Sequence, residues 1–286
     1  MTKKRLFLFA AFDPKSIDNG IIDDCTVIYL RELSKLGDIV YFQDNDVAES
    51  ELKKIASLVL FANAKRHGEY DFGSYKRAFI YARDNKLLDN YDYLYLVNDS
   101  VYGPFFPLLP HLENMEADNA DTVGMIYSTR KKPHYFQSWF VGMSKKVSTS
   151  EWFEAFITSV VKQKTKGGTI NAYEHGFSEL CRQKALRFKS AYTLLPLEPS
   201  THRGTKYYFR KGFPFIKKKS FTHNRGALGK EVLYVLNNTA PELKAAIIKN
   251  AEYVYGKDYV DKFLTNNVLK ILWRNIKHAI YRRKKS

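Results

Sequence analysis

The run Tyr93-Leu94-Tyr95-Leu96-Val97-Asn98-Asp99-Ser100-Val101-Tyr102-Gly103-Pro104 takes an apolar, β-prone segment into three small polar residues and a Gly-Pro turn. In an open α/β sheet, ligands bind in the crevice beyond the carboxyl ends of the strands. A strand that stops in Asn98-Asp99-Ser100 therefore sets one carboxylate and two hydrogen-bonding side chains where a nucleotide or a metal would meet them. The same residue types also build ordinary strand-end turns. A second segment has the same character. His67-Gly68-Glu69-Tyr70-Asp71-Phe72-Gly73-Ser74-Tyr75-Lys76 follows the apolar run Leu58–Ala62 and leads into a helical pattern through Ala78, Phe79, Tyr81 and Ala82. A helix start there presents free N–H groups suited to a phosphate. Asp71 serves equally well as a helix cap.

The elements that must position these residues follow from periodicity. Strands are expected near 5–11, 39–42, 58–62, 92–97 and 121–127, alternating with helices at 22–36, 49–56, 74–86 and about 107–115. In the first helix Ile28, Leu30, Leu33 and Leu36 form the apolar face. Such alternation predicts a mostly parallel α/β sheet with helices on both faces. From about residue 134 the pattern changes to a strand at 136–141, a loop at 162–168 and helices at 151–161 and 173–184. No internal repeat or low-complexity linker is present. A chain of 286 residues can bury a sizeable core, and one large domain plus a tail is the natural reading.

Composition narrows the function. Hydrophobic residues make up 45% and charged residues 27%, a globular balance. The net charge of +16 is unevenly spread. Between Glu198 and Glu231 there is no acid, while Arg203, Lys206, Arg210, Lys211, Lys217, Lys218, Lys219, Arg225 and Lys230 all occur. A second acid-free basic stretch follows Asp261. Such stretches attract nucleic acid, anionic lipid or phosphorylated ligands. No zinc-finger or RNA-binding aromatic signature accompanies them, so no specific nucleic-acid partner is expected. Cys25 and Cys181 form neither a metal framework nor a disulfide scaffold and are expected as reduced thiols on apolar helix faces. The apolar run Leu6–Phe12 is short and closed by Asp13-Pro14-Lys15, which favours a first strand over a signal peptide. No stretch approaches the ~20 apolar residues of a spanning helix, so a cytosolic chain, or one on a membrane surface, is expected.

The tail from Asn267 to Ser286 is distinctive. Leu269, Leu272, Trp273, Ile276 and Ile280 recur at helical spacing, with Lys270, Arg274, Lys277 and Arg282-Arg283-Lys284-Lys285 elsewhere around it. A basic amphipathic helix with Trp reads as membrane-surface binding, and each cation near an anionic leaflet contributes ~1 kcal/mol. The other reading is a helix docked on the body and followed by a solubilising charge run.

Taken in order, the segments resemble the rhamnan synthesis protein F family of bacterial polysaccharide glycosyltransferases. The resemblance is carried by Ile22-Asp23-Asp24 with Tyr29-Leu30-Arg31-Glu32-Leu33, by Tyr70–Lys76, and by Asn98-Asp99-Ser100-Val101-Tyr102-Gly103-Pro104-Phe105-Phe106-Pro107-Leu108. It continues through His134-Tyr135-Phe136-Gln137-Ser138-Trp139-Phe140, Lys145-Lys146-Val147, Tyr173-Glu174-His175-Gly176 and Pro214-Phe215-Ile216-Lys217. It implies a GT-A-like domain over 1–230, with a nucleotide-sugar half at 1–130 and an acceptor-side half at 131–230. A C-terminal helical extension over 231–286 completes the chain. The implied activity is transfer of rhamnose or another hexose from a nucleotide sugar to a growing cell-surface polysaccharide (cell wall, capsule or lipopolysaccharide) or lipid-linked glycan. The implied place is the cytoplasmic face of the membrane, with the tail on its anionic surface.

GT-A enzymes typically neutralise the leaving diphosphate with a cation held by Asp-x-Asp at a strand end, and Mg²⁺ is usually held by one or two carboxylates plus substrate phosphates. Here the equivalent place reads Asn98-Asp99-Ser100, with one carboxylate. A divalent cation (Mg²⁺ or Mn²⁺) on Asp99, with His223 as a further ligand, is one reading. The other gives the diphosphate to Lys76, Arg77 or the basic loop near Lys217. Donor-side candidates are Asp71, Asp99, Tyr75, Lys76, Asn98 and Ser100. Of Asp23 and Asp24, one reaches the base or ribose and the other caps the first helix. Glu174 is the candidate base for the acceptor hydroxyl, which must be within reach and ionised; the plainer reading is that it complements a helix N-terminus. His134, Gln137, Trp139 and His175 are acceptor-side candidates, with core burial the competing role for Trp139. A fold-retaining, non-catalytic assembly or glycan-binding protein is the alternative, and the missing Asp-x-Asp is its best support.

Overall fold

The structure is a computed structural model and describes residues 3–130, 132–222, 227–273 and 276. Ten strands run in chain order: β1 (Arg5–Ala11), β2 (Asp38–Gln43), β3 (Phe61–Ala64), β4 (Tyr93–Asn98), β5 (Val101–Tyr102), β6 (Thr122–Ser128), β7 (Tyr135–Phe136), β8 (Phe140–Ser144), β9 (Phe188–Leu194) and β10 (Ile216–Lys217). The helices are α1 (Asp24–Ser34), α2 (Glu49–Lys53), α3 (Tyr70–Asp84), α4 (Leu109–Glu116), α5 (Lys145–Ser148), α6 (Glu151–Thr158), α7 (Lys166–Thr169), α8 (Gly176–Gln183), α9 (Thr205–Arg210), α10 (Leu228–Asn237), α11 (Pro241–Tyr255) and α12 (Lys257–Phe263). The chain divides into two compact units. The first comprises 1–22, 29–99 and 107–198, and the second 23–28, 100–106 and 199–286.

The first unit is built on a sheet in the order β3-β2-β1-β4-β8-β6-β7, with β9 also paired to β6. The β3-β2-β1-β4 half is parallel, as is β6 with β9, while β8 runs antiparallel between β4 and β6. This is the mostly parallel α/β sheet expected from the alternating pattern. β1 is apolar almost throughout because every residue in it is buried, as in strands covered on both faces. Leu6, Leu8 and Ala10 share one core with Phe72, Tyr75, Ala78, Phe79 and Ala82 of α3. Their alternates turn the other way: Phe7 stacks on Tyr95 at 5.3 Å, and Phe9 meets Tyr29 of α1 edge-on at 5.4 Å. The period of two thus puts helices on both faces.

The same far face holds a buried ion pair. Arg5 Nε and a terminal nitrogen donate to the two oxygens of Glu116 at 2.6 and 2.7 Å, and the Tyr95 hydroxyl donates to Glu116 at 2.6 Å. Burial works against the Arg5 charge, but Glu116 outweighs it and raises the guanidinium above its ordinary value. Removing one partner of such a pair leaves an uncompensated charge. Glu116→Gln is therefore expected to destabilise the fold by about 3–5 kcal/mol in urea denaturation. A loss well below ~1 kcal/mol would mean that water reaches the site.

Two strands depart from expectation. The turn after α2 runs on to Leu58, whose N–H donates to Ile55, and the first bond to β2 is made only by Leu60, whose N–H donates to Ile39 O at 2.8 Å. β3 begins only at Phe61, where pairing with Val40 starts. The strand expected at 136–141 is cut in two by Gln137–Trp139, because the Ser138 N–H donates to a side chain rather than to a ladder.

In the second unit β5 and β10 pair antiparallel. Gly103 follows β5 at φ +141°, and a Cβ there would stand 2.4 Å from the Pro214 carbonyl oxygen, which only glycine permits. Tyr102, Ile216, Phe221, Val232, Leu236, Ile247 and Phe263 form this unit's core. The Tyr102 hydroxyl donates to Asn250 at 2.7 Å. No helix among the described residues is long and apolar enough to cross a membrane.

Candidate functional site

In the first unit, Asn98 and Asp99 lie at the carboxyl ends of β1 and β4, as the strand-end reading expects. Asp99 donates its N–H to Ala10 O at 3.2 Å, and its Oδ2 accepts from Phe12 N–H at 3.4 Å. Asn98 is 2% exposed; its N–H donates to Trp139 O and its amide donates to Asp71 Oδ2 at 2.9 Å. Asp71 opens α3, and one turn on the wholly buried Tyr75 donates its hydroxyl to Ser138 O at 3.1 Å. Burial, with Asp71 adding, raises that phenol well above its ordinary value, so it stays a proton donor. Ser138 then turns the network toward Glu174, whose Oε2 accepts from Ser138 N–H at 2.9 Å and Oγ–H at 2.6 Å. Asp71 bonds Asn98, Tyr75 and Glu174 both bond Ser138, and the Asn98 bond to Trp139 O, next to Ser138, joins the two groups; Asp99 follows Asn98 and bonds Ala10 and Phe12.

Glu174 does not open a helix. Thr165 Oγ1 accepts from Gly168 N–H, so helical turns begin at α7 despite Gly167 and Gly168. A π-helical turn, Ile170–His175, then carries Glu174 before α8. Wide turns of this kind recur at functional sites.

Other candidates are placed apart. Lys76 Nζ donates to Val160 O at 2.6 Å and pairs with Glu69 at 3.1 Å; Arg77 pairs with Glu69 at 2.6 Å. Trp139 is 3% exposed, its ring in the core and its Nε1–H donating to Gln137 at 3.0 Å. The His175 ring packs on Tyr135 at 4.4 Å, and His134 meets Tyr127 at 6.4 Å. In the second unit, Lys217 Nζ donates to Ser100 Oγ at 3.2 Å. There Asp23 caps α1 by accepting from Thr26 N–H and Oγ–H, while Asp24 pairs with Lys249 at 2.7 Å. His223 lies outside the described residues. Among the described residues no three His, Cys, Asp or Glu side chains group to hold a metal. A cation bound mainly by substrate phosphates asks less of the protein, and Asp99 fits as its single carboxylate.

A buried polar network at the ends of β1, β2 and β3 escaped the sequence reading. Asn45, wholly buried, accepts from Asp13 N–H at 2.8 Å and donates to the Asp13 and Ser16 carbonyls. Asp44 accepts from the N–H groups of His67 and Gly68 and pairs with Arg66. His67 Nδ1 accepts from Glu69 N–H at 3.1 Å, so its Nε2–H is left to donate to Ser74 Oγ at 3.0 Å. A Cβ on Gly73 would stand 2.7 Å from that ring. The available signal was Gln43-Asp44-Asn45-Asp46, a strand running into polar residues as β4 does.

Burial lowers His67 from 6.5 to about 4. The unfolded chain therefore takes up this proton first as pH falls. The stabilisation is complete above pH 6.5 and is lost down to about pH 4. The loss expected across that window is up to about 3 kcal/mol. Urea denaturation should show the loss in wild type and a flatter profile in His67→Gln; identical profiles would contradict the assignment.

The model of the rhamnan synthesis protein F family matches residues 39–281, and the chain belongs to that family. The chain is 23% identical over 158 residues to the uncharacterised protein y4gN of Sinorhizobium fredii (strain NBRC 101917 / NGR234), covering 54% of this chain and 41% of that protein. It thus spans about two-fifths of the curated relative it matches. Among solved structures, a candidate nucleotide-diphospho-sugar transferase from Desulfovibrio desulfuricans G20 is similar at TM-score 0.43 and 14% identity, over 87% of this chain and 99% of that one. Core-mannan synthase A from Aspergillus fumigatus, in its Mn/GDP form, is similar at TM-score 0.32 and 10% identity, over 61% and 69%.

Proposed function

We propose that the protein transfers a sugar, rhamnose or another hexose, from a nucleotide sugar to a growing cell-surface polysaccharide or lipid-linked glycan at the inner face of the cell membrane. The observation that carries this is the continuous network from Asp71 through Asn98 and Ser138 to Glu174, set beside Asp99 at the carboxyl ends of β1 and β4. Those ends are where open α/β sheets bind nucleotides. Asp99 lies on the leaving diphosphate; a divalent cation, when bound there, neutralises phosphate charge. Asn98 and Asp71 orient the donor. Glu174, its carboxylate fixed by Ser138, takes the acceptor proton in the inverting case. Gln137, His134 and His175 form the acceptor side.

A thermal-shift panel of nucleotides and nucleotide sugars, with Mg²⁺, Mn²⁺ or EDTA, tests the donor half. A ligand at about 100 times its Kd adds about 2.7 kcal/mol of stability. A shift confined to one base class supports the proposal. No shift with any donor, in the presence of a glycan acceptor, would favour the non-catalytic assembly role.

A further inference from the structure

The amphipathic pattern of the tail has two readings, and the structure separates them. Helical residues begin at 268, where Asn267 caps the turn by accepting from Lys270 N–H at 3.0 Å. If the apolar row were a docking face, it would be buried. It is not: Val268, Leu269, Leu272, Trp273 and Ile276 are 57, 77, 52, 59 and 50% exposed. Ile271 turns inward instead, at 9% exposed. At 3.6 residues per turn the five exposed residues fall within an arc of about 140°. Ile280 extends the same row in sequence, while on the ideal wheel Lys277 and Lys270 fall about 40° and 60° past one edge of the arc and Arg274 lies opposite it. With Ile271 turned inward, Val268, Leu269, Leu272, Trp273 and Ile276 thus present a broad apolar face outward.

Charge decides what that face meets. From Lys262 onward the sequence has no acid. Elsewhere in the second unit, Lys206 and Arg210 lie 4.5 and 5.3 Å over the Tyr234 ring. Among the described residues neither cation pairs with a carboxylate. A tyrosine face positions a cation without neutralising it. An apolar face carrying Trp, in a segment whose only charged residues are basic, is complementary to an anionic bilayer: the side chains enter the acyl boundary and the cations stay with the headgroups.

We infer that the exposed face formed by Val268, Leu269, Leu272, Trp273 and Ile276 docks the protein on an anionic lipid surface. This names the contact behind the proposed membrane location and needs no catalytic step. Cosedimentation of the full chain with vesicles of equal parts phosphatidylcholine and phosphatidylglycerol tests it, against pure phosphatidylcholine and with no donor present. Binding to the anionic vesicles alone is expected. Leu269→Asn with Leu272→Asn should weaken it by roughly tenfold or more, with unchanged thermal melting because both side chains are exposed. Phosphatidylglycerol brominated in its acyl chains should quench tryptophan fluorescence in wild type and not in Trp273→Phe. Absence of wild-type binding would overturn the inference. So would undiminished binding by the double variant, which would leave charge alone as the cause. Tighter, salt-sensitive binding to single-stranded DNA that ignores the leucines would assign the cations to nucleic acid instead.

Discussion

Glu174→Gln is expected to lower the turnover of a nucleotide-sugar donor by about 10²–10⁴-fold, the range for loss of a general base. Donor affinity should be unchanged. Glutamine keeps an oxygen able to accept both Ser138 bonds, at 2.9 and 2.6 Å, so the local fold is preserved while the basic charge is lost. Ser138→Ala removes only the hydroxyl bond and leaves the N–H bond. Hydrogen bonds to an ionised group are worth about 1.5–3 kcal/mol, so a smaller loss, about tenfold, is expected of it. Steady-state kinetics with calorimetric donor binding separates the two terms. Equal loss of affinity and turnover in Glu174→Gln would make Glu174 a binding residue. Unchanged turnover would remove it from the chemistry.

The second large effect is expected at Asp99. Asp99→Ala should abolish the donor-dependent thermal shift, a loss of about 2.7 kcal/mol for a donor at about 100 times its Kd. Asp99→Asn keeps an acceptor for the Phe12 N–H and changes only the charge. If the carboxylate acts on the diphosphate through a cation, the asparagine variant loses both the shift and its sensitivity to EDTA. If it only ties β4 to the loop after β1, the asparagine variant behaves as wild type. The two substitutions together distinguish charge from scaffolding.

What could be read from the sequence was what local pattern dictates. β1 and β4 are unbroken apolar runs because both faces are covered, and β4 ends where Asn98 and Asp99 turn to polar partners. The helix at Tyr70–Asp84 shows its buried face in Phe72, Tyr75, Ala78, Phe79 and Ala82. The bond that joins Tyr75 to Glu174 was hidden, since it passes through Ser138, 63 residues from one and 36 from the other. Nothing in the run His134–Phe140 signals that its serine interrupts a strand to hold a carboxylate. The start of the helical turns before Glu174 was missed because Gly167 and Gly168 argue for a loop, while the Thr165 cap outweighs them. The tail's amphipathicity was visible in its spacing. Which residue turns inward was not, because periodicity fixes a face and not which side of the helix is covered; Ile271 is the buried one.

The central claim is sugar transfer from a nucleotide donor, and the most direct test measures nucleoside diphosphate released from a panel of nucleotide sugars with a glycan acceptor. Predicted is release with one donor class, matched by a mass gain of one sugar on the acceptor and lost in both Glu174→Gln and Asp99→Ala. Donor binding without any release or mass gain, across donors and acceptors, would contradict the account and leave a fold that holds a glycan precursor without transferring it.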